Sequence, residues 1–178
     1  MSEKFLLKEQ SFGSVFENSS MAFHYKTQGI ILKKQDQGEA NRIFKVFTKE
    51  YGKLTMFAVS ERKITSKLRG GLEPFSLSYL EFVQGKQKKV LVEAVPVQQH
   101  FSLCQDFARL QTALKITDVF DRMVIGEEKD EKIWELLYSV FSMLDQKVAP
   151  HMVYRFFSQS IFPILGYSFE TKEKSSAP

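Results

Sequence analysis

Four cations fall within eight residues of this chain. Arg62, Lys63, Lys67 and Arg69 stand in the stretch Glu61-Arg-Lys-Ile-Thr-Ser-Lys-Leu-Arg-Gly-Gly, where Glu61 is the one acid. Ammonium and guanidinium groups spaced along a loop suit the phosphates of a polyanion, because each phosphate they neutralise releases condensed counterions. The alternative for any such run is a solvated charged loop without a partner. What favours a partner is the company the run keeps. Lys33 and Lys34 end one apolar segment, Arg42 and Lys45 lie in the next, and Lys86, Lys88 and Lys89 line a later turn. Interleaved with them are Tyr25, Phe44, Tyr51, Phe57, Tyr79 and Phe82. A groove for single-stranded nucleic acid needs cations along the backbone and aromatic faces for the bases. Most of these rings must fill a core, which leaves one or two for stacking. Arg62 and Arg69 can also stack through their planar guanidinium groups.

Enzyme chemistry finds little to work with. His24, His100 and His151 are far apart and read as surface or boundary residues, with no His-x-x-x-His or Glu-x-x-His pairing. Cys104 stands at the start of a helical pattern, where a thiol can be activated. No histidine is spaced to form a dyad with it, so it reads as a core or boundary residue. Neither a Gly-x-x-x-x-Gly-Lys nor a Gly-x-Gly-x-x-Gly motif is present. One cysteine excludes an internal disulfide and a multi-cysteine zinc site, and fits a reducing compartment. The expectation is therefore no catalytic residue, no cofactor and no metal. No apolar run approaches the about 18 residues of a membrane span, and the apolar core near the N-terminus is too short for a signal peptide. A cytoplasmic protein is expected.

Charge is distributed unevenly. The formal net charge is +4, yet residues 21–100 hold fourteen Lys and Arg against seven Asp and Glu. Residues 101–170 hold seven bases and ten acids. A basic segment followed by an acidic one suggests two modules, the first facing a polyanion.

The elements that must position these residues follow from periodicity. Residues 1–20 lack a sustained period and read as a disordered leader, with Met21 a candidate natural start. Strands are predicted over residues 25–34, 42–48, 54–60, 74–84 and 88–97, rich in β-branched and aromatic residues. Turn residues separate them at 35–39 and 50–53. Pro96 must sit at an edge or a strand end, since it cannot donate to a ladder. Five short strands in about 75 residues bury their edges most economically in a small closed barrel. The five-stranded OB-fold leads; periodicity does not separate it from an SH3-like barrel or a small sandwich. After His100 the period becomes helical. Leu103, Phe107, Leu110, Leu114 and Thr117 share a stripe that continues through Phe120, Met123 and Val124. Residues 126–130 break the pattern. Ile133, Leu136, Leu137, Val140, Phe141 and Leu144 mark a second helix, its acidic start suiting the N-terminal dipole. Pro150 opens a third, Gly166 caps it, and Pro163 should kink or loosen its last turn. The expected architecture is β plus α: a five-stranded OB-fold barrel over 21–100, a small helical domain over 101–170, and a disordered tail over 171–178.

Several segments together resemble a known family. Gly29-Ile-Ile-Leu, Gly38-Glu-Ala-Asn-Arg-Ile-Phe, Phe47-Thr-Lys-Glu-Tyr-Gly-Lys-Leu and Ser66-Lys-Leu-Arg-Gly-Gly-Leu-Glu-Pro-Phe are similar in order and spacing to the N-terminal half of the RecO recombination-mediator family. Phe162-Pro-Ile-Leu-Gly-Tyr resembles the helix end that follows in that family, a looser match. The resemblance implies an OB-fold and a helical domain. It also implies binding of single-stranded and double-stranded DNA, annealing of complementary strands, and partnership with RecR and single-stranded DNA-binding protein to help load RecA. Many members carry a four-cysteine zinc module after that helix; here Ser168 to Pro178 stand in its place without a cysteine, so no zinc is expected. Docking of single-stranded DNA-binding protein is carried by the family's C-terminal region, which the resemblance does not cover.

The leading expectation is a non-enzymatic DNA-binding repair mediator. Arg62, Lys63, Lys67 and Arg69 would contact phosphates, and Lys33, Lys34, Arg42 and Lys45 would extend the track. Against it stand a protein-interaction adaptor, in which the basic loop receives an acidic partner tail, and an RNA-binding OB module.

Overall fold

The computed structural model describes residues 23–62 and 66–167, without the side chain of Arg69. The expectations for the leader, the tail and Lys63 lie outside the described residues. Five strands form the first part: β1 (His24–Gln37), β2 (Asn41–Thr48), β3 (Gly52–Ala58), β4 (Leu77–Gln84) and β5 (Lys89–Gln98). They close into a barrel in the order β1-β2-β3-β5-β4. Every ladder is antiparallel except the closing one, where β3 and β5 run parallel through Met56↔Lys89 and Phe57↔Val90. This is the OB-fold arrangement.

Alternation decides which side chains enter the barrel. In β3, Leu54, Met56 and Ala58 are buried inside, and Lys53, Thr55 and Phe57 face outward. β1 serves two neighbours, pairing with β4 over its first half and with β2 over its second. At the changeover a side chain on Gly29 would press on Leu80 and Val46 at 2.6 Å, so only glycine lets the strand bend there. The register then shifts between Ile31 and Lys33, the mark of a bulge. Ile31 joins the barrel interior, while Ile30 and Leu32 join a second core outside it.

That second core unites the two parts of the chain. Ile30, Leu32, Phe47, Phe75 and Leu77 of the barrel side meet Phe120, Trp134, Phe141 and Phe157 of the helices. Phe47 packs edge-on against Phe120 at 5.2 Å, and Phe75 tilts against Phe141 at 5.2 Å. Full burial of one such ring stabilises by about 1.5–3 kcal/mol. Several of them make the helices a fixed wall of the barrel, not a loose appendage.

The helices are α1 (Phe101–Gln105), α2 (Phe107–Met123), α3 (Glu131–Asp145) and α4 (Pro150–Ile164). The single stripe expected from Leu103 onward is two helices, because Asp106 is extended and caps α2 by accepting the Arg109 N–H at 2.9 Å. Two strand limits also differ from expectation. β1 continues to Gln37, since Asp36↔Arg42 and Gln37↔Asn41 still pair, and the turn shrinks around Gly38. β4 begins at Leu77 instead of residue 74, because Phe75 has φ +66, a conformation no strand accepts. Pro96 lies beyond the short β3 pairing, where β5 has its ladder to β4 alone. At the end of α4 the Tyr167 N–H reaches the Phe162 carbonyl (2.9 Å) and the Gly166 N–H that of Pro163 (3.1 Å). With Gly166 at φ +82 and Tyr167 edge-on to Phe162, this is a complete Schellman cap.

Candidate nucleic-acid interface

The cations named from the sequence fall into three groups. Lys33 and Lys45 are cross-strand partners on the outer face of the barrel, with Lys53 beside them on β3. All three reach α2. Lys33 Nζ donates to Asp118 at 2.6 Å and Asp121 at 3.4 Å, Lys45 to Asp121 at 2.8 Å, and Lys53 to Asp121 at 3.1 Å and to its main-chain carbonyl at 2.8 Å. Burial alone would raise the Asp121 carboxyl, but hydrogen bonds from Lys45 and Lys53 override it and hold the group at about 2. The Lys33 ammonium is held above its ordinary value, first by its hydrogen bond to Asp118. These lysines are committed to the seam between barrel and helices.

A second group gathers at the β1–β2 turn. Arg42 donates from Nε to Asp36 at 2.7 Å and from Nη1 to both oxygens of Glu61 at 3.0 and 3.3 Å. The Arg42 hydrogen bond pulls the Asp36 carboxyl below the usual carboxylate range. Arg62 donates from Nη1 to the Gly38 carbonyl at 3.1 Å and lies 3.6 Å from Asp36. Lys34 reaches Glu73 at 3.2 Å.

The third group faces solvent. Lys67 is exposed, with no acid at ion-pair distance among the described residues, and the same holds of Lys86 in the β4–β5 turn. Lys88 lies over the Phe57 ring, 4.3 Å from its centroid, so its ammonium sits against one face of that ring. Arg69 opens a short 3-10 turn, Arg69–Gly71, at the far foot of the basic loop.

Of the aromatic residues, Phe44 and Phe82 are buried in the barrel. Tyr25 stacks on Phe82 and Tyr51 meets both rings edge-on. That leaves Tyr79, 54% exposed, and half-buried Phe57. Phe57 sits on the outward face of β2–β3 with Ile43 opposite it, and Thr55 and Lys45 one step along. The β1–β2 turn and the β4–β5 turn flank this face, the surface on which OB-folds bind oligonucleotides. Sequence reasoning named Phe57 and Lys88 separately and missed their pairing, because the parallel β3–β5 contact that joins them spans some thirty residues of chain.

Among the described residues, the one cysteine is not activated as a nucleophile. Burial raises the exposed Cys104 thiol, with Glu73 and Asp145 adding to the effect. His100 is not the surface or boundary residue expected: it is 4% exposed, its charged form disfavoured by burial, with Nδ1 3.6 Å from Asp145. It precedes α1 at the joint of barrel and helices, where packing encloses it.

Comparison with known proteins agrees with this architecture. The family profile described as "Recombination protein O N terminal" matches residues 21–100. The DNA repair protein RecO of Gloeothece citriformis is 29% identical over 145 residues, covering 82% of this chain and 51% of that relative. Its counterpart in Halalkalibacterium halodurans is 26% identical over 144 residues, 81% of this chain and 56% of the relative. That of Heliobacterium modesticaldum is 34% identical over 99 residues, 56% of this chain and 36% of the relative. The chain thus spans about half the length of these curated relatives. The RecO N-terminal profile lies on the closed five-stranded barrel, and the similarity to RecO proteins runs on into the helices.

Proposed function

We propose that this chain is a DNA-binding recombination mediator of DNA repair that works without catalytic chemistry. The observation that carries this reading is the outer face at the end of β3. There the Lys88 ammonium lies over the half-buried Phe57 ring, and β3 leads straight into the loop that carries Arg62, Lys63, Lys67 and Arg69. Bases would lie against Phe57, a sequence-tolerant contact, and phosphates would follow the loop and the Lys86–Lys88 turn. Lys33 and Lys45 have carboxylates in place of phosphates and contribute least to this path. Lys34, Arg42 and Arg62 border it.

Annealing of complementary strands fits the same chemistry. Cations lower the repulsion between two strands and hold them close enough to pair, with no nucleotide hydrolysis needed. The relatives are named DNA repair proteins, which supports a role in that process. Cooperation with RecR, action on DNA coated by single-stranded DNA-binding protein, and assistance to RecA belong to the same proposal. The test is fluorescence anisotropy with a labelled oligonucleotide across a salt series, followed by strand annealing with and without single-stranded DNA-binding protein. Binding that weakens steeply with salt, together with accelerated annealing, supports the reading. Absence of binding at low ionic strength refutes it and turns attention to an acidic protein partner for the loop. Equal or tighter binding of RNA of the same sequence would make DNA the wrong ligand.

A further inference from the structure

The cations near the β1–β2 turn differ in their hydrogen bonding. Glu61 is 2% exposed, and a carboxylate that deeply enclosed is costly unless paired. Its partner is Arg42, which spends Nη1 on both Glu61 oxygens and Nε on Asp36, with the side chain 22% exposed. Three of its five N–H donors are thus spent within the protein, and its partial burial restricts access to the two on Nη2.

The surrounding contacts tie down the root of the cationic loop. Ser60 has φ +55, a left-handed conformation rare for a residue with a side chain, and its N–H donates to Asn41 Oδ1 at 2.9 Å. The Arg62 N–H donates to the Ala40 carbonyl at 3.1 Å, and its Nη1 to the Gly38 carbonyl at the same distance. The other foot is anchored as firmly. Leu68 and Leu72 enter the barrel core, the Gly71 carbonyl accepts from Ser78 Oγ at 2.6 Å, and the Gly70 carbonyl accepts from Gln99 at 2.8 Å. A side chain on Gly71 would run into the Ala94 carbonyl, so this foot cannot slide along β5.

We propose that Arg42 and Glu61 are positioning residues, a buried ion pair that fixes where the cationic loop leaves the barrel, and that Arg42 is not a phosphate contact. The inference rests on the reading of the loop as a DNA contact and adds a division of labour within it. Fixing the two feet in advance lowers the ordering cost that docking of a strand would carry.

The sign of one substitution separates this from simple electrostatics. Glu61→Gln removes a negative charge beside the loop. If Glu61 were only a local acid, DNA binding would tighten. If it positions the loop, binding weakens, by about threefold to tenfold for one ordered side chain released, with the salt dependence unchanged. Arg42→Lys keeps the charge and loses the planar fork, and it should weaken binding to the same extent.

Hydrogen exchange provides a readout that does not involve DNA. The Ser60 and Arg62 amides should exchange at least about tenfold faster in both variants, as local opening becomes easier, while amides of the β2–β3 ladder stay protected and show that the barrel is folded. Tighter binding by Glu61→Gln, or a salt slope that falls by about 0.7 in Arg42→Gln, would overturn the proposal. So would unchanged exchange at Ser60 and Arg62. If the unaltered chain bound no oligonucleotide, the DNA reading would fall, and exchange alone would still decide whether the pair holds the loop.

Discussion

Asp121 provides the sharpest test of how the barrel and helices are joined. It is 14% exposed and receives two lysine ammonium groups at 2.8 and 3.1 Å, with a third at 3.4 Å. Its carboxyl is depressed from an ordinary 3.8 to about 2. A difference of that size corresponds to about 2 kcal/mol of stability. The sign follows from linkage. A depressed carboxyl contributes in full above its unfolded value, and the contribution drains away as pH falls through the folded one, here from roughly pH 5 to pH 2. Asp121→Asn keeps the shape and removes the charge, leaving Lys45 and Lys53 without an ionic partner. At neutral pH the variant should be less stable by about 2 kcal/mol, seen as a urea midpoint lowered by about 1 M if the slope is near 2 kcal/mol per M. Lys33 and Lys45 are more than a third exposed and can turn to water, so the loss stays below the 3–5 kcal/mol of a fully buried pair broken on one side. The assay is urea unfolding followed by far-UV circular dichroism at pH 7, 4 and 2. The two proteins should converge towards pH 2. Equal midpoints at pH 7, or a gap that persists undiminished at pH 2, would refute the assignment of this stability to the Asp121 charge.

Other outcomes follow from the same geometry. Phe57→Ala should cost about 1–3 kcal/mol of single-strand affinity, and much less for duplex, as anisotropy titrations with both forms would register. Lys67→Ala should lower the single-strand salt slope by about 0.7, whereas Lys33→Ala, already neutralised by Asp118, should leave it nearly unchanged. Gly52→Ala combines a φ of +66 with a collision against the Glu128 carbonyl, and thermal unfolding should show a loss of about 1–3 kcal/mol.

The barrel was readable because its signals are local. Alternation in β3 and the glycine at 52 lie within a few residues of each other, and each constrains a strand or turn without reference to the rest. The helix caps at Pro150 and Gly166 are local in the same way. The departures came where a single residue outweighed a pattern. Asp106 competes for a backbone N–H and splits a continuous apolar stripe, and Phe75 takes a left-handed conformation to bury its ring against Phe141. The cationic track was legible only as composition. Lys33 meets Asp118 across 85 residues of chain and Lys45 meets Asp121 across 76, so no window in the sequence discloses that these ammonium groups are satisfied. Asp118 and Asp121 do share a helix face by their spacing. Which strands that face would meet is decided by the fold alone.

The aromatic wall shared by barrel and helices bears on how the chain can be divided. A fragment cut after His100 would keep all five strands yet leave Ile30, Leu32, Phe47, Phe75 and Leu77 bare to water, a greasy flank on an otherwise closed cylinder. Such a piece should clump or bind detergent, even with its hydrogen-bond ladders intact. The profile match ends at residue 100, and the unit that folds is larger.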